Sequence, residues 1–237
     1  FMLAAKLCDI HLAEFQHGLI AKSDIFYNFP VTFNKIRSNA LMPDKIYTYG
    51  TYWSKILLEG NVCESNQIKE LGYYLYNRKK ALTKEVEILE SFISGRKVLL
   101  VTTQTDMHSY FIDHIQSCVQ SDKYNSKKMC FIVKTHPSES KEIYDVLKEK
   151  NDVLLVHDIS LDVLFQYASI HITIYSTTIF DAIRNNVKTY CINETIFNDY
   201  ISEIEHVISV ERIEKGEIPE NMEKLTSEDS NKFYKET

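Results

Sequence analysis

Glycine is scarce in this chain: six stand among 237 residues, so each one found in a loop needs a local reason. Basic residues are not in excess either. With 27 Lys and Arg against 33 Asp and Glu the formal charge is −6, and no basic stripe runs along the sequence. That argues against a nucleic-acid or other polyanion-binding surface, which needs clustered cations to neutralise phosphates. The five cysteines, Cys8, Cys63, Cys118, Cys130 and Cys191, form no C-x-x-C pair and no zinc-compatible spacing with histidine. They read as reduced, mostly buried thiols of a cytoplasmic protein. No apolar run approaches the ~20 residues needed to cross a bilayer, and the start lacks the layout of a signal peptide. Phe1-Met2 opens what reads as the middle of a helix with no cap ahead of it, the expectation for a piece of a longer chain. There is no D-x-D pair to hold a metal, no internal repeat and no low-complexity tract.

What is present is an ordinary globular composition, 44% hydrophobic and 25% charged, in a chain long enough to bury a sizeable core. From about residue 96 it alternates strand and helix patterns. The runs Lys97–Val101, Met129–Val133, Val153–Val156, His171–Tyr175 and Lys188–Ile192 are continuously apolar rather than alternating, the mark of parallel strands buried on both faces. Between them, Leu161, Leu164, Phe165 and Ala168 share one helical stripe, as do Phe111, Ile115, Cys118 and Val119. These patterns predict a doubly wound α/β parallel sheet, in which ligands bind at the carboxyl ends of the strands. Residues 1–60 add two strand candidates, Ile10–Phe15 and Lys45–Tyr49, and a helix around Tyr52–Leu58, too little for a full second domain. A polar, tyrosine-rich stretch from Asn61 to Lys84 is expected to contain a helix, and the tail after Ile213 to be a surface helix or a frayed end. The division expected is a partial lobe with linker at 1–84 and a complete sheet domain at 85–237.

The loops after the strands are therefore the places to look for chemistry. The second long run leads into Lys134-Thr135-His136-Pro137-Ser138-Glu139. Proline suits the first turn of a helix, which puts His136 at a cap, where it can donate to a phosphate oxygen beside Lys134 or simply end the helix. The run His171–Tyr175 leads into Ser176-Thr177-Thr178. Hydroxyls and free N–H groups at a helix start suit a phosphate, yet Thr178-x-x-Asp181 is equally a capping box. The loop Thr102–Asp106, with Gln104 at its centre, can bind a donor or cap the next helix. Near the N-terminus, Gly18 permits a tight exit from a strand and leaves His17 at its end, where an imidazole can serve as a general base or do nothing. The remaining histidines show no metal-ligand spacing.

Taken together, Glu14–Gly18 (EFQHG), Lys134–Glu139 (KTHPSE) and Tyr175–Ala182 (YSTTIFDA) resemble the bacterial surface-polysaccharide transferases of GT-B architecture. The likeness extends to capsule and sialyl transferases and to the CDP-glycerol glycerophosphotransferases of teichoic acid synthesis. The resemblance implies a Rossmann-like C-terminal GT-B domain beside a partial N-terminal lobe. It implies donor-nucleotide contacts from His136, Ser176 and Thr177, with Asp181 at the ribose or the start of the helix and His17 as the acceptor-side catalytic residue; the loop readings add Lys134, Gln104 and Thr178 as donor-binding candidates and His136 as a second catalytic one. The implied activity is metal-independent glycosyl transfer from a nucleotide-activated sugar to a saccharide or lipid-linked acceptor, with no further cofactor. The polymer would be assembled at the inner face of the membrane, where peripheral attachment is compatible with a cytoplasmic protein. Glu70-Leu71-Gly72-Tyr73-Tyr74 lacks the Gly/Pro-rich connection of the teichoic acid group and favours sugar over polyol phosphate transfer. The alternatives are a CDP-polyol phosphotransferase, a sugar-nucleotide epimerase, and a nucleotide-binding domain without complete catalysis.

Overall fold

The computed structural model describes residues 2–36, 41–73, 83–126, 128–194, 198–205, 208 and 210–226, and within them lie two parallel sheets. The smaller has three strands, β1 (Ala13–Phe15), β2 (Lys45–Thr48) and β3 (Ile68–Glu70), in the order β1-β2-β3. Helices α1 (Met2–Leu7) and α2 (Thr51–Glu59) accompany it. The larger has six strands: β4 (Lys97–Thr102), β5 (Met129–Lys134), β6 (Val153–Val156), β7 (Ala168–Thr173), β8 (Thr189–Ile192) and β9 (Val210–Ile213). Its order is β6-β5-β4-β7-β8-β9, parallel throughout. Counted from β4 this is 3-2-1-4-5-6, the doubly wound order whose direction reverses between β4 and β7. Helices α3 (Thr83–Ile93), α4 (His108–Val119), α5 (Asp122–Ser126), α6 (Leu161–Tyr167), α7 (Thr178–Arg184) and α8 (Asn198–Ile204) complete it.

Two-sided burial explains the continuous apolar runs. Leu99, Val101, Phe131, Val133, Ile170 and Ile172 pack on Phe111, Ile115 and Cys118 of α4. Their neighbours Val98, Leu100, Cys130 and Ile132 pack on Leu89 of α3 and on Val163, Leu164 and Phe165 of α6. Each such aliphatic side chain contributes about 1.5–3 kcal/mol by leaving water. The sheet also buries a polar thread. His171 is fully enclosed, with Nε2 at 2.9 Å from Thr102 Oγ1 and Nδ1 at 3.0 Å from Thr189 Oγ1, and burial pushes its pKa down to about 3.

Several elements differ from the sequence expectation. The large sheet has six strands, not five; β9 reads Val-Glu-Arg-Ile, an edge strand whose two central residues are exposed, so it shows no apolar run. β7 starts at Ala168, directly after α6 with no turn between, and ends at Thr173; Ala168 therefore belongs to the strand and not to the helical stripe. The three-residue edge strand β3 and the shortening of Ile10–Phe15 to Ala13–Phe15 have the same cause, too few buried residues to leave a pattern. Between Asn61 and Lys84 the described residues hold a short 3-10 turn (Ser65–Gln67), β3 and the start of α3; the rest of the stretch expected to contain a helix, residues 74–82, lies outside the described residues. The tail is no surface helix through residue 226. It is irregular and docked, with Ile218 and Leu225 buried, Leu225 donating its N–H to the Asn186 carbonyl, and Tyr190 Oη donating to the Asn221 carbonyl at 2.5 Å. Four of the five thiols are buried, Cys8 is exposed and all are free.

The small sheet is joined to the large one through side chains. Trp53, Ile56 and Leu57 of α2 share an apolar cluster with Ile179, Phe180 and Ile183 of α7 and with Ile201 and Ile204 of α8. Trp53 and Phe180 meet edge to face at 6.0 Å. Gly60, at the end of α2, lets the preceding loop come close: a Cβ there would sit 2.0 Å from the Tyr27 carbonyl oxygen, and Phe29 N–H donates to the Gly60 carbonyl at 2.7 Å. Gly18, in contrast, has open space around it and no left-handed backbone, so a tight strand exit does not account for it. Among the described residues no helix is long and apolar enough to cross a membrane.

Candidate functional site

The segments following β4, β5 and β7 face the loop Gly18–Asp24 across an open cleft of about 340 Å³. Gln104, Thr105, His136, Tyr175, Ser176 and Thr177 line it from the large sheet, Tyr200 from α8, and Gly18, Leu19 and Asp24 from the small lobe. This is the carboxyl-end crevice at the switch point between β4 and β7, where open α/β sheets bind ligands.

Gln104 staples the switch point together. Its Oε1 accepts the N–H of Tyr175 at 2.9 Å, that of Ile174 at 3.2 Å and the Thr173 hydroxyl at 3.4 Å. The loop after β4 thus fixes the turn after β7, and among the described residues the Gln104 amide nitrogen keeps no protein acceptor. Beyond that turn, Ser176 Oγ accepts the Thr178 N–H at 3.2 Å. Among the described residues the N–H groups of Ser176 and Thr177 meet no protein acceptor, which leaves two more donors at the cleft.

His136 is placed by a buried carboxylate. Glu139 accepts from the Tyr144 hydroxyl at 2.9 Å, from the His136 N–H at 3.1 Å and from the Thr103 hydroxyl, and Thr103 Oγ1 in turn accepts the His136 N–H at 2.9 Å. These bonds curl residues 136–139 into a turn, and a 3-10 helix starts only at Lys141. His136 is therefore not a helix cap. Its Nδ1 accepts the Ser138 N–H at 3.2 Å, so a neutral ring carries its proton on Nε2 and offers it as a donor.

The sequence-predicted residues divide into two groups. Gln104, His136, Ser176 and Thr177 line the cleft; His17, Lys134, Thr178 and Asp181 do not. His17 is exposed. Lys134 donates its ammonium to the His157 carbonyl. Thr178 turns inward to Thr102 Oγ1 at 2.8 Å and His171, and the capping box expected with Asp181 does not form, because α7 is capped at Thr177 without a side-chain bond. Asp181 instead accepts from Tyr73 Oη at 3.0 Å and lies 3.7 Å from Arg184. Burial raises its pKa against the pull of both partners. It serves the contact between the two sheets.

The facing wall was not legible in the sequence. Asp24 Oδ1 accepts the Phe26 N–H at 2.9 Å. The loop around it is held by Glu203 of α8, whose carboxylate accepts from the Lys22 and Ser23 N–H groups, the latter at 3.3 Å. Tyr200, also from α8, stacks on Tyr175 with ring centres 5.8 Å apart. Burial first, then Asp24, raises the Tyr200 pKa; burial, then Asp106, raises that of Tyr175. Among the described residues no three His, Cys, Asp or Glu side chains cluster as a metal site.

Set beside known proteins, the chain matches no family model and no curated protein by sequence. Its fold is that of solved nucleotide-sugar enzymes. UDP-GlcNAc 2-epimerase from Neisseria meningitidis, bound to UDP-GlcNAc, superposes with a TM-score of 0.62 at 18% identity, over 90% of this chain and 60% of that one. The Methanocaldococcus jannaschii UDP-GlcNAc 2-epimerase, in complex with UDP-GlcNAc and UDP, gives 0.58 at 15% identity, over 99% and 63%. A glycosyltransferase from Rickettsia africae gives 0.53 at 16% identity, over 98% and 63%. The chain thus spans about 60% of the length of these neighbours, and what it shares with them is the GT-B arrangement of Rossmann-like parallel sheets.

Proposed function

We propose that the cleft binds the nucleotide of an activated sugar and that the chain is the donor-binding part of a metal-independent glycosyltransferase of surface polysaccharide synthesis. On this reading residues 85–237 supply the donor side and residues 1–84 the acceptor side. The observation that carries it is the convergence of His136, Gln104, Ser176 and Thr177 on one open crevice at the switch point, each with an N–H that can donate to a phosphate. These are fixed donors, and transfer of a sugar builds negative charge on the departing phosphate. Donors held in place before the reaction stabilise that charge without reorganisation. The ligands of the two epimerase structures make UDP the first nucleotide to try.

A sugar-nucleotide epimerase would use the same crevice, but elimination calls for acid and base groups flanking the sugar. Among the described residues that line the cleft, Asp24 is the one carboxylate, which suits a single proton transfer and supports the transferase. Titration calorimetry with UDP, CDP, GDP and CMP tests the reading. Saturable binding of one of them is expected, and no binding by any at millimolar concentration refutes it. Incubation with UDP-GlcNAc in the absence of acceptor separates the two enzymes: an epimerised sugar nucleotide would assign the chain to isomerisation.

A further inference from the structure

Among the described residues, four titratable side chains line the cleft: Asp24, His136, Tyr175 and Tyr200. A transferase needs one of them to accept a proton from the attacking hydroxyl. His136 does not qualify, because its Nδ1 is taken by the Ser138 N–H and its Nε2 carries the hydrogen. The two tyrosines are phenols whose pKa values are raised further by burial, so they are donors near neutral pH. Asp24 remains. A carboxylate has about four acceptor sites; that of Asp24 takes the Phe26 N–H and a hydrogen bond from the Tyr200 side chain, and the group stands on the wall opposite Gln104, His136, Ser176 and Thr177.

We propose that Asp24, and not His17, is the catalytic base that takes the acceptor's proton. This rests on the nucleotide-sugar reading of the cleft. In the step, the acceptor oxygen forms a bond to the anomeric carbon while its proton passes to the Asp24 carboxylate. The bond from that carbon to the phosphate oxygen breaks, and its electron pair leaves on the nucleotide phosphate, facing His136 Nε2. Atoms and charge balance with no further reagent: one carboxylate becomes a carboxylic acid and one phosphate oxygen gains a negative charge.

The loop is built to hold such a group still. Asp24 donates its own N–H to the Ala21 carbonyl at 3.1 Å and accepts the Tyr27 N–H on its carbonyl at 3.0 Å. Asn28 Nδ2 donates to the Lys22 carbonyl at 2.9 Å, and Glu203 of α8 secures the Lys22 and Ser23 N–H groups. His17 has none of this, being exposed and outside the lining.

The test compares wild type, Asp24→Asn, Asp24→Ser and His17→Ala. Both replacements at position 24 can still accept the Phe26 N–H, so the loop keeps its turn, and neither can act as a base. UDP affinity is measured by calorimetry, and nucleotide release from UDP-GlcNAc, UDP-glucose and CMP-sialic acid is measured with water as acceptor. Both Asp24 variants are expected to bind UDP within threefold of wild type and to release nucleotide at least about a hundredfold more slowly, the lower end of the range for loss of a general base. His17→Ala should release it within threefold of wild type. A loss below tenfold in the Asp24 variants, or a hundredfold loss in His17→Ala, overturns the assignment. So does a wild type that binds UDP but releases nucleotide from none of the donors, and in that case the cleft reading survives. A wild type that binds no nucleotide overturns the cleft reading itself, and the assignment with it.

Discussion

Ser138 donates its backbone N–H to Nδ1 of His136 across 3.2 Å, and that bond decides which end of the imidazole a ligand can meet. A backbone N–H can only donate, so the hydrogen of a neutral ring sits on Nε2. On the proposed nucleotide reading, His136 would meet a phosphate as a directed donor rather than as a base.

Replacing His136 tests that role directly. A hydrogen bond to a charged group contributes about 1.5–3 kcal/mol, so His136→Ala should weaken UDP binding roughly tenfold to a hundredfold. His136→Gln can place an amide N–H near the Nε2 position and should recover most of the loss. Calorimetry on the two variants reads the difference, and equal affinities for both would rule out a donor at this position.

Gln104 separates architecture from recognition in one side chain. Gln104→Ala removes the acceptor for the Ile174 and Tyr175 N–H groups, and stranding buried donors costs about 1–3 kcal/mol each. Melting should fall by several degrees, and UDP affinity should fall with it as the Ser176–Thr177 turn loosens. Gln104→Glu keeps the acceptor, so its melting temperature should stay close to wild type. It replaces an amide donor by a negative charge beside a phosphate, and its UDP affinity should fall at least tenfold. Equal melting temperatures for wild type and Gln104→Ala would show that the staple carries no stability.

The residues that were readable in the sequence are those whose position is set locally. Val98–Val101 and Met129–Val133 announce buried strands because helices cover both faces, and His136, Ser176 and Gln104 follow such strands directly. β9 escapes because an edge strand needs no apolar run. Thr178 and Asp181 escape for another reason: a capping box is a local pattern, but His171 and Tyr73 claim the two side chains from other parts of the fold. Asp24 and Tyr200 could not be found at all. They meet because Glu203 holds a loop 181 positions away in sequence, and no spacing rule spans that separation.

Two enclosed histidines tie stability to acidity. Burial pushes His171 down to about 3 and His114 down to about 4, while the unfolded chain returns each to about 6.5. Between those values the unfolded state binds protons that the folded state refuses. Their contribution is therefore complete above about pH 6.5 and is lost as pH falls toward 4 and then 3, by about 1.4 kcal/mol per pH unit for each histidine. Urea midpoints at pH 7.5, 6.5, 5.5 and 5.0 should be level between the first two and then drop. His114→Gln, which cannot take up a proton, should roughly halve the slope between pH 5.5 and 5.0. A midpoint that stays constant down to pH 5.0 would contradict the burial of both rings.

Glu203 offers a way to disturb one wall of the cleft and leave the other in place. Its carboxylate accepts from the Lys22 and Ser23 N–H groups, and its carbonyl accepts the Tyr52 hydroxyl at 2.6 Å, a bond that survives side-chain replacement. Glu203→Ala therefore frees the Lys22–Asp24 segment without detaching α8 from α2. Lys22 is exposed, and a protease needs the chain around its target to open locally. Losing two hydrogen bonds to a carboxylate, at about 1.5–3 kcal/mol each, should raise the open population and with it the rate of tryptic cleavage after Lys22 by tenfold or more. On the proposed reading the phosphate meets Gln104, His136, Ser176 and Thr177 on the opposite wall, so UDP affinity should change less than threefold. Unchanged cleavage would mean that the loop is held by the Asn28 and Gly60 contacts alone, whereas a large fall in UDP affinity would place the nucleotide against Asp24 and not across from it.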